Sequence, residues 1–124
     1  MITTGNTIVS IYTEMTPNPE TMKFVANKLL YPGKSVDFPD VAAAKPSPLA
    51  VELFGFPFIK AVFIASNFIT LTKTSETEDW QDMIPTIKQF LKDYLEDMLL
   101  MKAFEYFHLM VLIHHFHIQI FLPN

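Results

Sequence analysis

With 124 residues, half of them hydrophobic, 18% charged and a net charge of −4, the chain is long enough to bury one core and too apolar to be disordered. Nine Lys and Arg without a basic run exclude the electrostatic footprint of a nucleic-acid-binding face. The absence of cysteine removes disulfides, thiolate nucleophiles and Cys-ligated zinc or iron–sulfur clusters together. The start, MITTGNTIVS, lacks the positive charge and apolar run of a signal peptide, so a cytoplasmic (cytosolic) protein is expected.

In chain order, residues 7–14 (TIVSIYTE) read as a first strand, with Val9 and Ile11 on one side and Ser10, Tyr12 and Glu14 on the other. Thr16-Pro17-Asn18-Pro19 ends it, because each proline removes a backbone donor and restricts the residue before it. Residues 21–29 alternate again, Met22, Phe24 and Ala26 against Thr21, Lys23 and Asn27, and are expected to pair with the first strand. Tyr31-Pro32-Gly33-Lys34 reads as a turn, and residues 35–46 as a loop with one helical turn at 41–45. Ser47 as N-cap and Pro48 at the first position open a helix whose buried edge is Leu49, Leu53 and Phe54. Gly55 is expected to stop it in the left-handed conformation.

Residues 62–73 (VFIASNFITLTK) form the centre of the reading. If Ser66-Asn67 is the loop of a hairpin, Ala65 faces Phe68, Ile64 faces Ile69 and Phe63 faces Thr70. Val62, Ile64, Ile69 and Leu71 then share one aliphatic face, which requires a helix over it. Ala61, Phe63, Phe68, Thr70 and Thr72 share the other, which is either a second core layer beneath residues 35–46 or the tail, or an exposed aromatic patch that binds a partner. From Trp80 to Met98, apolar residues at three- and four-residue steps predict the strongest helix. Pro85 suits a cap at Asp82 and conflicts with one at Asp79, so a late start or a kink is expected. The fold class is thus α+β: a small antiparallel four-stranded sheet with two helices on one face, in the order β-β-α-β-β-α, over residues 1–97.

Residues 98–124 form an apolar extension, free of charge from Tyr106 on. Four readings stay open for it: a continued helix, a final strand in IQIFLPN, a membrane segment disfavoured by its histidines, or a reading-frame change near Met98. His114, His115 and His117, with His108, are the one set resembling a metal site, but neither helix nor strand spacing supplies a third ligand. Glu76, Glu78, Asp79 and Asp82 read as a solvated patch at a helix N-terminus. No serine lies in a nucleophile-elbow context and the three glycines form no phosphate cradle, so no enzyme is expected.

Four segments, YTEMTPNPETMKFVA (12–26), SPLAVELF (47–54), VFIASNFITLTK (62–73) and WQDMIPTIKQFL (80–91), resemble the N-terminal domain of Nfu/NifU-like iron–sulfur scaffold proteins in content, order and spacing. In that family the cluster is carried by a separate C-terminal domain with a C-x-x-C motif, which this cysteine-free sequence lacks. The resemblance therefore implies an accessory or protein-interaction domain that binds iron–sulfur assembly factors or apo-target proteins. No cluster is expected on this chain, only through partners; nucleic acid is excluded, and self-association through the tail is open. Among the residues matching the family pattern, Asn18, Lys23, Phe63, Phe68, Thr70 and Lys73 are the candidate contacts.

Overall fold

The computed structural model describes residues 8–74 and 79–121, the side chains of Ala103, Tyr106 and residues 113–121 excepted. Val9–Tyr94 is one compact unit, and the chain from Leu95 onward belongs to a second. The first unit holds five strands: β1 (Ile11–Met15), β2 (Thr21–Ala26), β3 (Tyr31–Phe38), β4 (Ile59–Ser66) and β5 (Phe68–Lys73). They form one antiparallel sheet in the order β1-β2-β5-β4-β3. Helix α1 (Pro48–Leu53) follows a 3₁₀ turn at Ala42–Ala44, and α2 runs from Trp80 to Phe121.

The four-stranded expectation is corrected by β3. Pro32 and Gly33 resemble a turn, yet here they sit in an edge strand that pairs only with β4. An edge strand tolerates a missing donor, and the pairing jumps from Tyr31↔Ser66 to Ser35↔Ala65, leaving Pro32, Gly33 and Lys34 in a bulge. Gly33 has φ +68°, which a side chain there would strain. Most of β3 is exposed, so alternation gives no signal; only Val36 and Phe38 turn inward.

The β4–β5 hairpin has the expected register, with Ala65↔Phe68, Ile64↔Ile69 and Phe63↔Thr70. Positive φ is confined to the first loop residue, Ser66 at 45°, as in a type II′ turn. The loop also clasps its neighbours: the Asn67 carbonyl accepts from Ala26 N–H at 2.8 Å, Asn67 Nδ2 donates to the Ala26 carbonyl at 3.2 Å, and the Ser66 carbonyl accepts from Leu30 N–H at 2.6 Å. The central hairpin thereby fixes where β2 ends and where the chain enters β3.

Val62, Ile64, Ile69 and Leu71 are all buried, together with Met22 and Phe24 of β2. Helix α1 adds Leu49, Ala50 and Leu53 to this cluster, and α2 adds Trp80, Met83, Ile87 and Leu91. Ser47 Oγ accepts from Ala50 N–H at 3.1 Å with Pro48 at the first position, as the N-terminal signature requires. Gly55 works differently from expectation: its φ is not positive, and a Cβ there would lie 2.9 Å from the Glu52 carbonyl oxygen, which Gly55 N–H bonds at 3.0 Å. The close approach, not a left-handed backbone, requires glycine.

Helix α2 starts at Trp80, with the Asp79 carboxylate accepting from Gln81 N–H at 3.1 Å, so Pro85 lies inside it rather than in a delayed first turn. The i−4 carbonyl that Pro85 cannot bond belongs to Gln81; both residues are exposed, and water can take up that group. Trp80 packs edge-on against Phe24 with centroids 6.2 Å apart, and its indole N–H has no partner among the described residues. Phe56 stacks edge-on against Phe90 at 5.4 Å, and Phe90 neighbours Tyr94 at 5.8 Å. Burial raises the Tyr94 hydroxyl pKa above 10.0, and the Glu52 carboxylate adds to the rise.

Two expected outcomes follow from these contacts. Trp80→Phe keeps one six-membered ring but deletes the fused pyrrole ring with its unpartnered N–H, so urea unfolding should show a loss of ~1–2 kcal/mol, against ~3–5 kcal/mol for Trp80→Ala. A raised tyrosine pKa favours the neutral folded form, so its contribution is complete below the unfolded value and fades as pH climbs through the folded one. Tyr94→Phe should therefore lose less Tm than the parent chain when pH is taken above about 10.

Candidate functional site

Opposite the helices, the pairing registers align one side chain from every strand. Glu14 pairs with Lys23, Lys23 with Thr70, Thr70 with Phe63 and Phe63 with Asp37, so Glu14–Lys23–Thr70–Phe63–Asp37 crosses the whole sheet. A second row, Tyr12–Val25–Phe68–Ala65–Ser35, runs beside it. None of these residues belongs to the core cluster. Residues 35–46, one of the covers left open for this face, instead contribute Ser35 and Asp37 to the sheet edge.

Side-chain geometry ties the two rows together. Lys23 Nζ lies 3.4 Å from Glu14 Oε2 and 4.1 Å from the centroid of the Phe68 ring. Phe68 and Phe63 rings lie 6.1 Å apart, tilted by 38°. The ammonium is held between a carboxylate and an aromatic face, each an attraction of only ~0.5–1 kcal/mol at this exposure. Both contacts restrict the rotamers of a long side chain, and a cation already positioned loses less entropy when it binds. Val25 and Ala65, also on this side, are buried beside two half-exposed phenylalanines.

Of the six candidate contacts, the sheet brings together Lys23, Phe63, Phe68 and Thr70. Lys73 is not brought there: alternation along β5 puts it with Ile69 and Leu71, in register with Ile59. Asn18 is occupied locally in the β1–β2 connection, where its Oδ1 accepts from Glu20 N–H at 3.0 Å and its carbonyl accepts from Thr21 N–H at 3.0 Å. Thr16 and Thr21 hydroxyls are hydrogen-bonded to each other beside it. Glu14 and Asp37 were missed as row members. Glu14 already alternates with Tyr12, and a register for the first hairpin would have set it against Lys23; Asp37 carries no signal without β3.

A pocket of about 350 Å³ lies between β1 and α2, lined by Ile11, Ile84, Pro85, Lys88, Gln89 and Lys92, with no acid–base pair. The residues do not fit an iron–sulfur cluster: the sequence holds no thiolate, and among the described residues no group of three His, Cys, Asp or Glu could hold a metal ion. His108 is exposed; His114, His115 and His117 have helical backbone in α2, and their side chains lie outside the described residues. Of the open readings for the tail, residues 118–121 follow the continued helix rather than a final strand; residues 122–124, Glu76 and Glu78 lie outside the described residues. Among the described residues, no helix is long and apolar enough to cross a membrane.

Strand order and helix placement define an α+β domain of NifU-like fold. The solution structure of a NifU-like protein from Saccharomyces cerevisiae is similar, with TM-score 0.60 and 26% identity over 70% of this chain and 78% of that one. A crystal structure of a Staphylococcus aureus protein shares the fold alone, with TM-score 0.55 and 21% identity over 64% of this chain and 95% of that one. The chain belongs to the Nfu/NifU N-terminal family, "Scaffold protein Nfu/NifU N terminal", which matches residues 11–98. The human "NFU1 iron-sulfur cluster scaffold homolog, mitochondrial" is 42% identical over 84 residues, 68% of this chain and 33% of that protein. The Drosophila willistoni protein of the same description is 39% identical over 95 residues, 76% of this chain and 32% of that protein. The chain thus spans about a third of the length of these relatives.

A double-mutant cycle on Glu14 and Lys23, each changed to Ala and followed by thermal unfolding, should give a coupling below ~1 kcal/mol that shrinks with added salt.

Proposed function

We propose that the chain is an accessory, non-enzymatic protein-interaction domain of iron–sulfur cluster assembly or transfer, and that Lys23, Phe63, Phe68 and Thr70 form its partner-binding face. One observation carries the assignment of the face: Lys23 is held between Glu14 and Phe68 in a row that spans all five strands, outside the hydrophobic core. Half-exposed aromatic side chains are what protein interfaces favour at their centre, and a lysine already positioned beside them suits the polar rim of such a contact. Family membership supports the assembly role, since the relatives are described as iron–sulfur cluster scaffolds. In this reading the cluster is cargo held by a partner, either an assembly factor with a C-x-x-C cluster domain or an apo-target protein. In this reading Asn18 and Lys73 have a marginal part, since Asn18 makes turn hydrogen bonds and Lys73 lies on the strand face of Ile69 and Leu71.

The compartment is part of the same proposal. Cytoplasm and mitochondrion are the two settings proposed, the second because the relatives are described as mitochondrial. Both are aqueous settings in which a domain of this kind meets assembly factors.

The test is calorimetric titration of the chain with a C-x-x-C scaffold domain of the family and, separately, with an apo iron–sulfur target protein. Lys23→Glu and Phe63→Ala should each weaken the interaction roughly 10-fold or more, the loss of a contact worth about 1.4 kcal/mol. Lys88→Glu, on the helix side of the sheet, should leave it unchanged. Binding by the parent chain that neither face variant alters would assign the contact elsewhere, and no binding to either protein class would end the proposed role.

A further inference from the structure

We propose that the part of α2 beyond Leu95 is a homodimerisation element, in which a seam of Leu100, Phe104, Phe107 and Val111 packs against the same seam of a second copy. It rests on a different surface from the partner-binding face and stands independently of it. These four side chains are 54%, 67%, 63% and 49% exposed, far above what large apolar residues of a helix show when they serve a core. Their spacing is four, three and four residues, the alternation that keeps a stripe on one side of a helix facing a partner helix. At about 100° per residue they fall within an arc of roughly 60°.

The rest of the helix surface selects the occupant. Lys102 and Glu105, the charged residues among positions 98–112, lie roughly 130–170° around from the seam, where a dimer would leave them in water. Met101 and Met110 flank the seam on its two sides, and their flexible side chains can fill the irregular gaps along a helix pair. A helix bound to a lipid surface carries a basic polar face; here the arc opposite the seam holds one Lys, one Glu and the exposed Leu109, with Met98 and Leu112 beside them. A seam with no charge of its own offers nothing for a charged partner to recognise, but it is self-complementary, as a two-fold contact demands.

The area is sufficient. A buried Phe covers ~150–250 Å², so the seam with its methionines supplies on the order of 500 Å² per copy, or about 1,000 Å² for the pair, near the lower limit of stable interfaces. Area alone fixes no affinity, so the pair is sought over a concentration range centred on the micromolar.

Equilibrium sedimentation of the full chain over roughly 1–100 µM should show the 14.3 kDa mass doubling. Phe104→Glu with Phe107→Glu should sediment as the monomer with helical circular dichroism retained, because both positions are exposed and Glu is a good helix former. Leu109→Glu, on the opposite arc, should keep the doubling with its dissociation constant within about 3-fold of the parent. The proposal is overturned if the parent chain stays monomeric, if the double variant still doubles, or if Leu109→Glu dissociates the pair equally. Aggregates of no fixed stoichiometry, or a monomer that floats with phosphatidylcholine vesicles, would overturn it as well.

Discussion

The register of the β4–β5 hairpin is the constraint on which the rest of the domain depends. A two-residue loop at Ser66-Asn67 opposes Ile64 to Ile69 and Val62 to Leu71, and all four side chains are buried. Each is worth ~1.5–3 kcal/mol when removed from water, so a slip of one residue, which would turn the whole set outward, forfeits roughly 6–12 kcal/mol. That equals the net stability of an ordinary domain, about 5–15 kcal/mol. The same loop then passes its position on, by hydrogen bonds from Asn67 to Ala26 and from Leu30 to Ser66. β2 and β3 are thus placed by the hairpin between them in space, although they precede it in the chain.

Because strand side chains alternate, the register that builds the core also builds the opposite face. Phe63, Phe68 and Thr70 are turned away from the helices for the same reason that Ile64, Ile69 and Leu71 are turned toward them. Lys23 joins them through β2, and Glu14 joins Lys23 through β1. A face assembled this way is rigid because its positions are fixed by backbone pairing, while its energetic ties are weak surface attractions.

Helix α2 changes character along its length. Up to Leu91 it supplies one apolar edge, Trp80, Met83, Ile87 and Leu91, to the core of the Val9–Tyr94 unit, with polar residues elsewhere around it. Past Met98 its described side chains are predominantly apolar and exposed, with a narrow polar arc at Lys102 and Glu105. A helix of the first kind is stabilised by the sheet it covers; one of the second kind is stable in water only when its apolar stripe is covered by something else.

Short-range rules carried much of this structure in the sequence alone. The hairpin register, the pairing of the first two strands, the Ser47-Pro48 helix start and the buried edges of both helices follow from alternation, helical period and capping, all decided within a few residues. Membership of the four quoted segments in one family was legible for the same reason, since turns and caps demand particular residues at fixed spacing. What the sequence did not disclose are outcomes of pairing between distant segments. β3 is nearly all exposed and contains Pro32 and Gly33, so only an edge position beside β4 makes it a strand. Lys73 looks like a surface contact until β5 sets it in register with Ile59, and Glu14 and Asp37 become ends of one row only when five strands lie side by side. Side-chain alternation is local and can be read from the chain; which strands are neighbours is settled by burial of the shared core, and that exists only in the folded domain.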